Sequence, residues 1–356
     1  RSGPMVIATP ELFTQKASCQ IGAQRLGCDS SELAISIAPL SLDDNQVSGA
    51  IFLKGLKVEN KPGARHGLSA QAEFRSDSLA VDVLSQFQTT VTTEGSINLR
   101  DGLISGKGVA SSGPIQVRSQ WQHNLDSGAG ELQLNLPETK FSPGNALSNA
   151  VRGLPADIVD GALSASAKVD WPDRGRGQLS LMMANTGIRY DDSFAVGVNT
   201  AIQLQQSGDH WITRDPARVS VDTVDAGVAI KNLNFLLSLQ ANGDIALKNF
   251  AAELLEGALT SDQLTWNQNG EERRSDLQFT GISIGALAQE MESQNFAASG
   301  ILDATLPLTT DRQGVTIEDG TLQSRAPGGR LRYYGAFSQA MLGSNPQLKL
   351  LAGALE

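Results

Sequence analysis

The chain has 356 residues, with 28 basic and 38 acidic side chains and a formal charge of −10. A protein that binds nucleic acid by neutralising phosphates carries a basic face, so this balance argues against that class. Hydrophobic residues make up 40%, glycines number 36 and aromatics reach only 5%, which suits many short strands joined by turns. No window approaches the roughly 20 uninterrupted apolar residues of a membrane-spanning helix.

Cys19 and Cys28 come first, and they are the only cysteines. Gly22 and Gly27 lie between them, so the intervening chain can fold back and bring the sulfurs together. The closed loop would remove roughly 2–3 kcal/mol of unfolded-chain entropy. No further Cys and no nearby His completes a zinc site, and the spacing is not that of a redox motif. A structural disulfide, implying an oxidising compartment, and a pair of buried free thiols both remain open.

Alternation of period two then recurs from end to end. Leu33, Ile35 and Ile37 open it, followed by Leu79, Val81 and Val83, then Leu132, Leu134 and Leu136. Leu179, Leu181 and Met183 continue it, with Ile202 and Leu204, then Leu233, Phe235, Leu237 and Leu239, and finally Leu302, Ala304, Leu306 and Leu308. The residues between are mostly polar, so each strand has one dry and one wet face, as in antiparallel sheets. Arg100-Asp101-Gly102, Asn242-Gly243-Asp244 and Glu318-Asp319-Gly320 supply turns. The chain reads as mainly β.

Helical stripes are few. Asn145 to Val151, Ile284 to Met291 and the weaker Ala336 to Leu342 are the three expected helices, with Ser283 as the N-cap of the second. Helix-like segments followed by a Gly-anchored strand, at Gly95, Gly161 and Gly300, outline weak repeats of about 70 residues. The expected organisation is one elongated unit over 1–356.

Catalytic motifs fall away on inspection. Gly281-Ile282-Ser283-Ile284-Gly285 matches a nucleophile elbow, but His66, His123 and His210 all precede it and no βαβ rhythm surrounds it. Asp43-Asp44, Asp191-Asp192 and Glu271-Glu272 read as solvated turns rather than a glycosidase pair, since the four Trp and three Tyr are scattered singly. Arg174, Arg176 and Arg273-Arg274 read as turn surface. No enzymatic activity, cofactor or metal is expected. What remains is the apolar face, which suits the core of a closed sandwich or the wall of a long groove, with the sandwich favoured on pattern alone.

The C-terminal third, Phe279 to Leu287, Ala298 to Leu308, Gly314 to Gly320 and Ala326 to Tyr333, resembles the C-terminal part of YdbH-family proteins, members of the AsmA-like group with TamB and YhdP. The succession Gly300 to Leu306-Pro307-Leu308, Gly320-Thr321-Leu322 and Pro327-Gly328-Gly329-Arg330-Leu331-Arg332-Tyr333 carries the resemblance, and 281–356 forms the family-like motif region. The resemblance implies a long curled, taco-like antiparallel sheet in the periplasm of a Gram-negative cell. It implies that phospholipid passes along an apolar groove, with an inner-membrane anchor upstream of Arg1. On that reading Leu134, Leu136, Leu181, Met183, Leu204, Leu233, Phe235, Leu237, Leu302, Leu306 and Leu308 line the groove. It further implies that a small outer-membrane lipoprotein adds strands at an edge within 320–334, marked by Leu322, Leu331 and Tyr333. The alternative is a non-catalytic envelope scaffold or outer-membrane assembly factor with a closed β core.

Overall fold

A computed structural model of the chain describes residues 11–14, 17–22, 25–42, 45–60, 67–83, 86–172, 177–208, 210–290 and 296–333. Strands β1 (Glu11–Thr14) and β2 (Ala17–Gly22) both pair with β3 (Arg25–Leu42). Each strand then pairs antiparallel with the next: β4 (Asn45–Asn60), β5 (Leu68–Val83), β6 (Phe87–Arg100), β7 (Leu103–Ser112) and β8 (Ile115–Asn124). The series continues through β9 (Gly130–Phe141), β10 (Asp157–Trp171), β11 (Gln178–Tyr190) and β12 (Ser193–Ser207).

Beside β12 lie β13 (His210–Thr213) and β14 (Ala217–Asp225), end to end. From β14 the meander passes to β15 (Ala229–Leu239), β16 (Asp244–Leu254), β17 (Gly257–Asn267) and β18 (Arg273–Ser283). A short helix, α1 (Ile284–Glu290), and β19 (Phe296–Ser299) then leave the sheet. The chain rejoins it as β20 (Ile301–Asp311), whose far side carries β21 (Gly314–Ile317) and β22 (Thr321–Ser324). β23 (Arg330–Tyr333) pairs with β19 as a separate ribbon.

Three lanes hold two strands each, so the twenty-one strands of the main sheet fill eighteen lanes. No pairing among the described residues joins the first lane to the last, so the sheet is not a closed barrel. The principal strand contacts are between neighbouring and next-neighbouring lanes, and apart from the two-stranded β19–β23 ribbon there is no second sheet among the described residues. The sequence alternation left a closed sandwich open; a single unclosed layer is what forms. The chain exposes 22728 Å², against about 14,000 Å² for a compact monomer of this mass.

Because neighbouring lanes are antiparallel throughout, the strand ends form two rims. One rim is built of short turns, among them 101–102, 125–129, 240–243 and 268–272. The Asp101-Gly102 turn has both residues at positive φ, 50° and 75°, as a two-residue hairpin requires. The other rim carries the longer excursions, 142–156 and α1 with β19.

A line of bulges crosses the sheet nearer this second rim. Positive φ occurs inside strands at Gly161, Asn185, Gly197, Asn232, Asn249 and Gly281, with a register shift beside each of them. Asn185 donates its N–H to Asn199 Oδ1 (2.8 Å), whose amide in turn reaches Gly197 O (2.9 Å). Bulges bend the strands that carry them, and side chains inside a bend crowd together. The buried cluster Val198, Val219 and Val221 lies along this crease, packed by Ile188, Leu233, Phe235 and Leu237.

The helices need correction. Residues 145–151 form only a 3₁₀ turn, Leu147–Asn149. Tertiary partners take the groups that an α-helix would use: Asp157 accepts from Ser148 N (2.9 Å) and Ser148 Oγ (2.7 Å), while Ala150 O accepts from Thr89 Oγ1 (2.6 Å) and Ser112 Oγ (3.0 Å). Helix α1 forms where expected, and its N-cap is Ser283, whose Oγ accepts from Ala286 N–H (3.1 Å). The third expected helix, 336–342, lies outside the described residues.

Candidate functional site: an uncovered apolar face

Direct register partners point to the same side of a sheet, so the pairings sort the side chains into faces. One row runs Leu53–Phe74–Gly95–Gly108–Ser119–Leu134–Ala167–Leu179–Leu204–Thr213, from β4 to β13. The adjacent row on the opposite face reads Lys54–Glu73–Ser96–Lys107–Gln120–Gln133–Lys168–Gln178–Gln205. One face is thus aliphatic and the other polar along the whole run.

The faces also differ when residue type is held constant. On β6, Thr89 and Thr93 of the apolar face are half-buried while Thr90 and Thr92 of the polar face are exposed. On β11, Met183 is half-buried and its neighbour Met182 is 54% exposed. Among the described residues no second sheet lies over the apolar face, and apart from Thr89, which the 142–156 excursion reaches at the second rim, its side chains are shielded by one another, as on the inside of a curl.

All eleven groove candidates lie on this face. Leu136, Leu181 and Ile202 share a row through Ala165, and Leu134 and Leu204 share the row above. Met183 connects through Thr200 and Val219 to Phe235, flanked by Leu233 opposite Val221 and Leu237 opposite Ala217. The Phe235–Phe250 stack, with centroids 6.3 Å apart, carries the face across the bulge at Asn249. Leu259 and Phe279 pass it on to Ala304, beside Leu302, Leu306 and Leu308. All eleven are half-buried.

The 320–334 segment is divided. Leu322 lies in the terminal lane and is 68% exposed, whereas Leu331 and Tyr333 belong to the β19–β23 ribbon. Cys19 and Cys28 are register partners across β2 and β3.

Charged clusters at both rims are engaged in structure. At the turn rim, Asp244 accepts from Asn267 Nδ2 (2.7 Å), Arg273 Nε (2.8 Å) and Asn242 Nδ2 (2.9 Å). Burial pushes its carboxyl up, but these donors outweigh it and hold the group below its ordinary value. Arg273 also donates to Glu271 (2.8 Å) and Arg274 to Glu272 (3.0 Å), so the Glu271-Glu272 and Arg273-Arg274 pairs neutralise each other in one turn. At the other rim Arg325 grips Asp303 with two bonds of 2.8 Å, and with the Gly281 N–H it lowers that carboxyl too. Asp191-Asp192 is the β11–β12 turn; Asp43-Asp44, Arg174, Arg176 and His66 lie outside the described residues.

Sequence reasoning missed the placement of tryptophan. Trp121, Trp171, Trp211 and Trp266 look scattered along the chain, yet all four sit on the apolar face near the turn rim. Only pairing register reveals this: Trp121 is opposite Leu132, Trp171 opposite Gly130, Trp211 opposite Gln206 and Trp266 opposite Ile245.

An uncovered aliphatic face on an unclosed sheet is an arrangement for holding something apolar. The family model described as "YdbH-like: Intermembrane phospholipid transport protein YdbH" matches residues 13–356. The chain belongs to the YdbH-like family. No curated protein and no solved structure matches it. The YdbH-like match spans nearly every lane of the sheet, so the family assignment covers the whole apolar face as well as the C-terminal motif. No helix among the described residues of this YdbH-like chain is long and apolar enough to cross a membrane.

Proposed function

We propose that the apolar face is the path along which phospholipid acyl chains travel between the inner and outer membranes of a Gram-negative envelope, in the periplasm. The observation that carries this reading is the continuity of a half-buried aliphatic face, uncovered by any second layer among the described residues. Acyl chain exposed to water is unfavourable by about 0.8 kcal/mol per CH₂, and a face that accepts the chain at every lane removes most of that barrier. Aliphatic walls make non-directional contacts, so a chain slides instead of lodging. The path needs no catalytic group, and the polar face keeps the protein hydrated. An inner-membrane anchor upstream and a small outer-membrane lipoprotein adding strands beside β21 and β22, where Val315, Ile317 and Leu322 are exposed, complete the proposal.

The test is a photo-crosslinking residue placed in cells at Leu181, Leu204 and Leu306, with Ser180 and Gln203 on the opposite face as controls. Phospholipid captured at the first three and not at the controls supports the path. Equal capture on both faces, or capture of protein alone, overturns it.

A further inference from the structure

The two rims differ in chemistry. Along the turn rim the apolar face ends in indoles, and three of them lie against a glycine. A Cβ on Gly106 would sit 2.5 Å from the Trp121 ring, one on Gly130 2.3 Å from Trp171 and one on Gly177 2.7 Å from Trp211. The missing side chains leave room for each of these three indoles to lie against the strand backbone. Trp211 and Trp266 are each 39% exposed. Trp171 Nε1 donates to His123 Nδ1 (3.0 Å); the other three indole N–H groups have no acceptor among the described residues. In mid-face the aromatic positions are phenylalanines, Phe74, Phe235 and Phe250, with no polar handle. Among the described residues the opposite rim has one exposed polar aromatic, Tyr190, and is lined by chain, namely the 142–156 excursion and α1.

Indole is apolar over its body and polar at one edge, and it settles where hydrocarbon meets water and headgroups. We infer that a bound glycerophospholipid lies with its acyl chains across the groove floor and its glycerol and headgroup at the turn rim, level with these four tryptophans. The inference rests on the lipid-path reading and adds a direction to it: the lipid enters and travels with one fixed side outward, along the rim of short turns.

The test uses the full chain, loaded with phosphatidylcholine carrying a nitroxide on the headgroup, or bromines near the carboxyl or the methyl end of one acyl chain. Tryptophan emission is the readout. Single-indole variants keep one of Trp171, Trp211 or Trp266 and replace the others by Phe. Two reporters in the background with all four replaced, Leu181→Trp in mid-face and Tyr190→Trp on the opposite rim, complete the set. The expected result is greater loss of emission from the rim tryptophans with the headgroup nitroxide and shallow bromines than with deep bromines. Leu181→Trp should be quenched by bromines and spared by the nitroxide, and Tyr190→Trp should be spared by the nitroxide. The native protein, with all four indoles, gives the same depth order if a variant fails to fold. Nitroxide quenching of Tyr190→Trp as strong as that of the rim, or rim emission indifferent to every probe while Leu181→Trp responds, overturns the inference. Silence of Leu181→Trp with every lipid instead sinks the lipid path itself.

Discussion

Leu181 lies in the middle of the apolar face, between Ala165 and Ile202 in register, half-buried and with no second sheet above it among the described residues. Full burial of a leucine is worth about 1.5–3 kcal/mol, so the half-burial seen here puts the loss in Leu181→Asp at about 1–1.5 kcal/mol. The new carboxylate stays hydrated in an open groove, and no unpaired buried charge is created. In a closed core the same change would cost about 4 kcal/mol or more. The lipid responds differently. A charge at the groove floor strips contact from three or four methylenes at about 0.8 kcal/mol each, which weakens retention roughly 50- to 200-fold. Urea midpoints of the lipid-free protein and phospholipid per protein by mass spectrometry separate the two effects. Val219→Asp is the internal standard, because Val219 is only 8% exposed within the crease cluster, and it should lose about 3–5 kcal/mol. Leu181→Asp destabilising as much as Val219→Asp, or keeping its lipid, would refute the reasoning.

Other perturbations probe the frame. Glu256 sits at φ 63° in the turn between β16 and β17, so Glu256→Gly should raise stability by about 0.5–1 kcal/mol in denaturant titration. Gly161→Ala should act oppositely, since φ is 87° and the new Cβ would meet Asn185 O at 2.3 Å; a loss of about 1–3 kcal/mol is expected. The folded pKa of Asp244 lies below its unfolded value of about 3.9. Its contribution is therefore present above that value and lost as pH falls through the lower folded one. Asp244→Asn should lower the urea midpoint at neutral pH and shrink its drop on acidification. If Cys19 and Cys28 are joined, intact-mass analysis after alkylation will show no free thiol, and reduction will cost roughly 2–3 kcal/mol.

The faces of this sheet were legible because alternation is a local property: Leu132, Leu134 and Leu136 announce their side whatever the strand pairs with. Turns at Asp101-Gly102 and Asn242-Gly243 were legible for the same reason. The crease was not read, although a trace of it stood in the sequence. The apolar positions shift from odd numbers at Ile245 and Leu247 to even numbers at Phe250 and Ala252, with Asn249 between them at φ 53°. The 145–151 segment misled because its apolar stripe is real, while its backbone is claimed by Thr89, Ser112 and Asp157, residues distant in sequence or beyond the stripe. The tryptophan rim could not be read at all without register, since Trp121 and Trp266 are 145 positions apart in the chain and meet the same rim only through the stacking of lanes.

A meander that never closes has a property that barrels and sandwiches lack. Its length is a free quantity. Lanes repeat at about 4.8 Å, so eighteen of them carry the face about 80 Å, and each further hairpin would extend it by about 10 Å. No residue across the groove has to be rematched when a hairpin is gained or lost, because the only new contacts are the two ladders at the insertion. Reach can therefore be adjusted hairpin by hairpin, while the cross-section set by the crease stays as it is.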